Sequence, residues 1–348
     1  MNLTKNWAAV LDDYVIDLAW SPDDTRLAAT SASGATGVFE KTSGDQLHRL
    51  PGHEDGANCL AWQPVPAGAP AVSLATGGQD GCVKFWDTLT GQHTASAALG
   101  AGWVEHLAWR PAPKKETAGA AALLAAACGR DLVFLNPDAS VRHRCPRAPK
   151  TISALAWQPA GGCLAAAYFG GVQLRDADDF IVQKEFPYSN GIHALVWSPD
   201  DRWLVSGNQD PSVHLWIPES GLELHMSGYE GKVKCLAFDP AARWLATGGG
   251  RDVCVWDCSG AGPEGREPLQ LSHEAPLCAL AFQHRRSLLA SASADGVIML
   301  WDIADGKPRR LAVVRMPSPA TKLAWSADDA KLAIGSEKGA LYVLAYES

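Results

Sequence analysis

The chain has 348 residues, 47% of them hydrophobic and 20% charged, with a formal net charge of −8. Such a composition can fill a core and is too apolar for a disordered chain, while its acidic balance lacks the broad basic face of a nucleic-acid binder, so no nucleic-acid partner is expected. The opening "MNLTKNWAAVLDDY" has no apolar run long enough for a signal peptide, and no stretch reaches membrane-spanning length; a soluble, cytoplasmic protein with no membrane partner is expected.

In chain order, the first apolar run closes on "LAW" at Trp20, turns through "SPDD" (Ser21 to Asp24) and resumes as "RLAATSA". Proline presets the backbone angle at the second turn position, and the flanking Ser and Asp can bond turn amides. Near-copies of the closing phrase end at Trp62, Trp109, Trp157, Trp197, Phe238, Phe282 and Trp325, at spacings of 40 to 48 residues. Each is followed by a second run such as "SLATGG" or "WLVSGN", and the clearest third runs are "CVKFWD", "SVHLWI", "VCVWD" and "VIMLWD". Period-two alternation punctuated by Gly, Asp and Pro predicts strand–turn–strand throughout. Tight links come from "QDG" at Gln79 to Gly81 and "ADG" at Ala294 to Gly296. A weaker fourth run, such as "DQLHRLPGH" or "LELHMSG", makes each unit four-stranded.

Nine cysteines include no CxxC pair, and Cys59, Cys128, Cys163, Cys235, Cys254 and Cys278 fall in apolar strand-like runs, where buried reduced thiols are expected. The closest pair, Cys254 and Cys258, lacks two further ligands nearby, so no metal site and no cofactor are expected. "GGQDG" and "GGGRD" are rich in glycine, but neither forms a phosphate-cradling loop leading into a helix.

Repeats of this length with Trp86-Asp87, Trp256-Asp257 and Trp301-Asp302 at their ends, and Gly52-His53 at an opening, resemble the WD40 repeat family. Ser272-His273 is a near match to that opening, and the first, third, fourth and eighth repeats, which contain Trp20, Trp109, Trp157 and Trp325, lack the Trp-Asp. The resemblance implies an all-β fold, a WD40-type β-propeller of eight four-stranded blades, with seven as the alternative, forming a single domain over residues 1–348. The units run 14–56, 57–102, 103–150, 151–190, 191–231, 232–275, 276–319, and 320–348 plus 1–13. Eight three-strand sets meet only seven internal fourth runs, so "NWAAVLD" (Asn6 to Asp12) is expected to pair with the C-terminal blade and cover its open edge.

His53 with Thr76, Asp80 and Trp86, and His273 with Ser291, Asp295 and Trp301, look like active-site sets. In the family, these residue types at these places form a structural hydrogen-bonded network, and the resemblance implies that role here, with no catalytic residue. A buried imidazole can bridge a carboxylate and a hydroxyl while the indole N–H finds an acceptor. The fifth repeat keeps Ser206, Asp210 and Trp216 without a histidine, and the sixth has Tyr229 near the histidine place; both are expected to rely on packing alone.

In WD40 proteins one face carries the turns between second and third strands and the lead-ins to each first strand. That placement puts Trp103, Arg130, Lys150, Tyr168, Phe169, Tyr188, His193, Asn208, Tyr229, Lys232 and Arg251 on one arc, rich in the aromatics and arginines that dominate interfaces. The opposite face carries long Pro- and Gly-rich connections at 64–72, 111–121 and 258–268, read as mobile spacers. The function implied is a non-enzymatic, monomeric scaffold for one or more proteins or peptides. The alternatives are a small-ligand or metal-binding propeller and, behind it, an enzyme using the central channel.

Overall fold

The computed structural model describes residues 2–66, 68–112 and 122–347. Every long regular element in this region is a strand, and the strands pair into eight four-stranded sheets. Sheets one to seven occupy residues 15–50, 57–98, 104–144, 152–187, 192–227, 235–272 and 277–315, each with its strands in chain order. Sheet eight holds residues 320–347 and takes its fourth, outer strand, Asn2–Val10, from the N-terminal segment beside Ala340–Glu347. That strand starts earlier than the sequence pattern placed it, because Leu3 is buried in the core of sheets seven and eight. Eight sheets of this connectivity make an all-β, eight-bladed propeller fold.

Two compact units divide the backbone: Trp7–Ser189 with Lys338–Leu341, and Asn190–Glu337 with residues 2–6 and 342–347. In both, the repeated turn does what its residues dictate. Ser21 Oγ sits 2.6 Å from Asp23 and accepts the Arg26 amide, while Asp24 adopts φ +59 and closes the turn onto the Ser21 carbonyl. Ser198 with Asp201 (φ +64), and Ser326 with Asp329 (φ +64), repeat the arrangement.

The repeated Leu-Ala-Trp phrase has a physical reason. Leu and Ala fill the inner strand, and the indole N–H crosses to the preceding sheet: Trp62 Nε1 donates to the Ala19 carbonyl (3.0 Å), Trp109 to Ala61 (3.2 Å), Trp157 to Ala108 (2.8 Å) and Trp325 to Ala281 (3.1 Å). Each donor thus satisfies itself on an alanine in the matching phrase one repeat earlier, and the ring fills the space between sheets. Apolar clusters join sheets one and two, two and three, and three and four in one unit, and sheets five to eight in succession in the other.

Two of the three long connections are anchored rather than mobile spacers. Ala71 is buried, its amide donates to Asp23 Oδ2 at 2.8 Å, and its carbonyl accepts from Arg26 Nη1 at 3.1 Å. In the third, Cys258 and Gly262 are buried and Gly262 lies against the Trp203 ring, where an added Cβ would stand 2.8 Å from Cη2. Residues 113–121 of the second connection and residue 67 of the first lie outside the described residues.

Candidate functional site

Sheet two holds the set that looked most chemical. His53 comes from the lead-in before Ala57–Trp62, Thr76 from Ser73–Gly78, Asp80 from the following turn and Trp86 from Cys82–Asp87. His53 Nδ1 lies 2.8 Å from Asp80 Oδ1, His53 Nε2 lies 2.9 Å from Thr76 Oγ1, and Trp86 Nε1 donates to that oxygen at 3.0 Å. The donor logic has one solution with a neutral imidazole. The carboxylate only accepts, so Nδ1 carries the proton, Nε2 accepts from Thr76, and Thr76 accepts from the indole. Burial holds His53 below the usual histidine range against the pull of the Asp80 carboxylate. With every polar atom engaged, the histidine has no lone pair or proton left for a substrate.

Sheet seven writes the same chain with one more link. Trp301 Nε1 donates to Ser291 Oγ (2.9 Å), which faces His273 Nε2 (2.7 Å). His273 Nδ1 meets Ser293 Oγ (2.9 Å), and Ser293 passes its proton donation to Asp295 Oδ1 at 2.7 Å. Asp295 therefore reaches its histidine through a hydroxyl. The pivot is the residue opposite the start of the first strand: Gly78 faces Ala57 in sheet two, and Ser293 faces Leu277 in sheet seven. A Cβ at Gly78 would stand 2.2 Å from His53 Cγ, so glycine lets the imidazole close directly on Asp80.

Sheets five and six do not rely on packing alone, which corrects the sequence-based expectation. In sheet six Tyr229 OH is 2.9 Å from Thr247 Oγ1, and Trp256 Nε1 donates to both at 3.2 Å; Thr247 donates onward to the Cys254 carbonyl. Burial raises the Tyr229 phenol above its usual range and keeps it neutral. In sheet five the pivot is Asn208, which accepts from Ser206 Oγ (2.9 Å) and donates to Ser212 Oγ (3.0 Å), itself bonded to Asp210. Sequence reasoning missed Ser293 and placed Asn208 on the partner face, although both stand at the pivot position. Trp216 is buried in this sheet's core.

The eleven residues assigned to a partner face divide between the two units. In the first, Trp103 and Phe169 are 52% and 53% exposed, and Arg130 and Lys150 are exposed beside them in chain order. Backbone bonds tie these segments together: Gly129 N to the Trp103 carbonyl, Ile152 N to Gly129, and Ala148 N to Arg130. Tyr188, half-buried, donates its amide to Gly170 in the turn that carries Phe169. Tyr168 is buried and offers a partner little surface.

In the second unit, His193, Lys232 and Arg251 are exposed, with His193 Nε2 2.5 Å from Gln209 Oε1. Asn208 is fully buried, and Tyr229 has its hydroxyl engaged inside sheet six, so neither has a polar group left for a partner. A small amide and a single phenol bury readily once partnered, and sequence position at a strand end or in a lead-in does not reveal which way they face.

All nine cysteines are free thiols. Burial pushes Cys235 and Cys258 up to about 12 and Cys254 up to about 11, which leaves them protonated and poorly nucleophilic. Among the described residues no three His, Cys, Asp or Glu side chains gather to hold a metal ion, and no helix is long and apolar enough to cross a membrane.

Comparison with known proteins agrees with this architecture. The family model for the WD domain, G-beta repeat, matches residues 44–87, 182–216, 221–257 and 266–302, and that for the anaphase-promoting complex subunit 4 WD40 domain matches residues 1–65. The WD repeat-containing protein slp1 of Schizosaccharomyces pombe is 22% identical over 89% of this chain and 53% of its own length. The nuclear distribution protein PAC1-1 of Uncinocarpus reesii is 23% identical over 95% of this chain and 79% of its own. Telomerase protein component 1 of Mus musculus is 24% identical over 70% of this chain, which spans only 9% of that protein. The chain thus spans about half or less of several curated relatives it matches. The computationally designed Ika8 protein superposes with a TM-score of 0.81 over 99% of this chain and 100% of its own, at 20% identity, which speaks for the fold alone. The chain belongs to the WD40 repeat family.

Proposed function

We propose that the chain is a non-enzymatic scaffold that holds a protein or peptide partner on its turn face, in a reducing compartment such as the cytoplasm where nine thiols stay free. The observation that carries this reading is the pair Trp103 and Phe169, each more than half exposed on segments linked by backbone hydrogen bonds to those carrying Arg130, Lys150 and Tyr188. Exposed large aromatics beside cations are the side chains enriched in interface hot spots, and folding gains nothing from leaving them in water. The histidine networks support the same reading from the other side, because their donors and acceptors are satisfied within the sheets. Slp1 and PAC1-1, whose names mark a WD-repeat protein and a nuclear distribution protein, resemble this chain over most of its length and carry the comparison no further than the family.

The test is affinity capture from the native host with quantitative mass spectrometry, comparing the parent chain with Trp103→Ala/Phe169→Ala. The captured set is expected to disappear while the melting temperature holds within about 2 °C, since exposed aromatics contribute little to the core. An unchanged captured set overturns the assignment.

A further inference from the structure

Within the second unit, three segments enclose a concavity of about 460 Å³: the lead-in at residues 230–234, the hairpin turn at residues 248–251, and the next lead-in at Pro276 and Leu277. Its geometry follows from period-two alternation. Val233 is fully buried and its amide donates to the Asn208 carbonyl at 3.0 Å, which turns Lys232 and Lys234 outward on either side. The hairpin turn packs against this lead-in because residue 249 is glycine. Gly231 N donates to its carbonyl at 2.6 Å, and an added Cβ would stand 2.8 Å from both the Gly231 carbonyl and Val233. Arg251 follows on the same turn, with its amide fixed by Glu230 Oε2 at 3.2 Å.

The charges are what set this hollow apart. Lys232, Lys234 and Arg251 are exposed, and among the described residues none of them forms an ion pair. At the other end of the same sheet, Arg243 and Arg266 both pair with Asp257, at 3.2 and 3.1 Å. Three uncompensated cations and one acid, the latter turned onto a backbone amide, line a hollow in a chain of net charge −8. Pro276 and Leu277 add an apolar wall. A volume in the range of ligand pockets, an apolar side and several single positive charges on separate segments match a peptide bearing spaced carboxylates next to an aliphatic residue. A single phosphate is better served by a clustered arginine fork.

We propose that this hollow receives an acidic segment of the protein partner, its Glu or Asp side chains facing Lys232, Lys234 and Arg251 and an aliphatic side chain resting on Pro276 and Leu277. The proposal rests on the scaffold reading and adds the chemistry of the partner. The probe is a short fluorescein-labelled peptide alternating glutamate with leucine, against the same peptide with glutamine, followed by fluorescence anisotropy. The glutamate peptide is expected to bind about tenfold more tightly than the glutamine one, three exposed charge pairs being worth that much together. The preference is expected to shrink severalfold between about 50 and about 300 mM salt as the charges are screened.

Lys232→Gln/Lys234→Gln/Arg251→Gln is expected to abolish the preference at an unchanged melting temperature, whereas Arg243→Gln/Arg266→Gln, which removes charge elsewhere, is expected to keep it. Equal binding of the two peptides, or equal loss in both variants, overturns the proposal. So does a phosphoserine peptide that binds about tenfold more tightly than the glutamate one. If the peptide fails while capture through Trp103 and Phe169 survives, only this inference falls; if capture proves independent of those aromatics while the peptide still binds, only the aromatic assignment does.

Discussion

Sheets two and six solve one problem with different chemistry. Each carries a tryptophan near the end of its third strand, Trp86 buried and Trp256 half-buried, and each supplies an acceptor for the indole N–H. Sheet two uses Thr76 as a relay into His53 and ends on the Asp80 carboxylate. Sheet six uses Thr247 and the Tyr229 phenol together, and ends on a backbone carbonyl with no charge involved. What these two sheets share is therefore a partnered indole donor rather than a histidine. The charged terminus is an elaboration, and with its histidine it carries an acid-side pH dependence that the uncharged version lacks.

The largest difference between the two is expected at the shared threonine. Thr76→Val removes a hydroxyl that serves both His53 and Trp86, leaving two buried groups without partners, at a cost of about 3 kcal/mol. Thr247→Val leaves Trp256 its second acceptor on Tyr229, and about 1 kcal/mol is expected. Urea unfolding midpoints of the two variants measure this directly, and equal losses contradict the relay in sheet two. Next comes the sheet-seven relay. Ser293→Ala strands the His273 Nδ1 proton away from Asp295, for about 2 kcal/mol, and Ser293→Thr, which restores the hydroxyl, is expected to recover part of it. Smaller still is Tyr229→Phe, for which the same measurement should give about 1 kcal/mol, because Thr247 and Trp256 remain bonded to each other.

The strand pattern was open to reading because each blade repeats the same demands: Leu and Ala inside, tryptophan at the strand end, Ser-Pro-Asp at the turn. Why the tryptophan recurs was hidden, since its acceptor is a backbone carbonyl some 40 to 50 residues earlier and leaves no mark in residue identity. The networks were half visible. Matching residue types to a family pattern finds His53 and His273, whose partners are named side chains, yet it passes over Ser293 and Asn208, which act through one strand position. Register supplies the missing signal: the residue opposite the start of the first strand is Gly78, Asn208, Gly248 or Ser293, and its side chain decides what can stand between a lead-in residue and the turn acid. Burial of Asn208 and Tyr168 was hidden for a similar reason: both close the second strand of their sheet instead of standing on the turn where the sequence pattern placed them, and register decides which way they point.

The smallest effect tests the charged ending against the uncharged one. Burial depresses His53 and His273 below their usual 6.5, and raises Tyr229 above its usual 10. As pH falls from 7 through 6.5, unfolded chains take up protons that the folded imidazoles refuse, so stability declines towards pH 5. On the alkaline side the unfolded phenol ionises while the buried one does not, and stability declines above pH 10. His53→Gln/His273→Gln is expected to flatten the loss of melting temperature between pH 7 and 5, with a residual slope from His214, which burial also depresses. Tyr229→Phe should leave that acid limb untouched and make the alkaline one shallower, with a residual slope from the thiols of Cys235, Cys254 and Cys258, which burial also raises. Melting curves across the two limbs separate the contributions, and an acid limb of the same steepness in the double variant would mean that the imidazoles of sheets two and seven are not held neutral by burial.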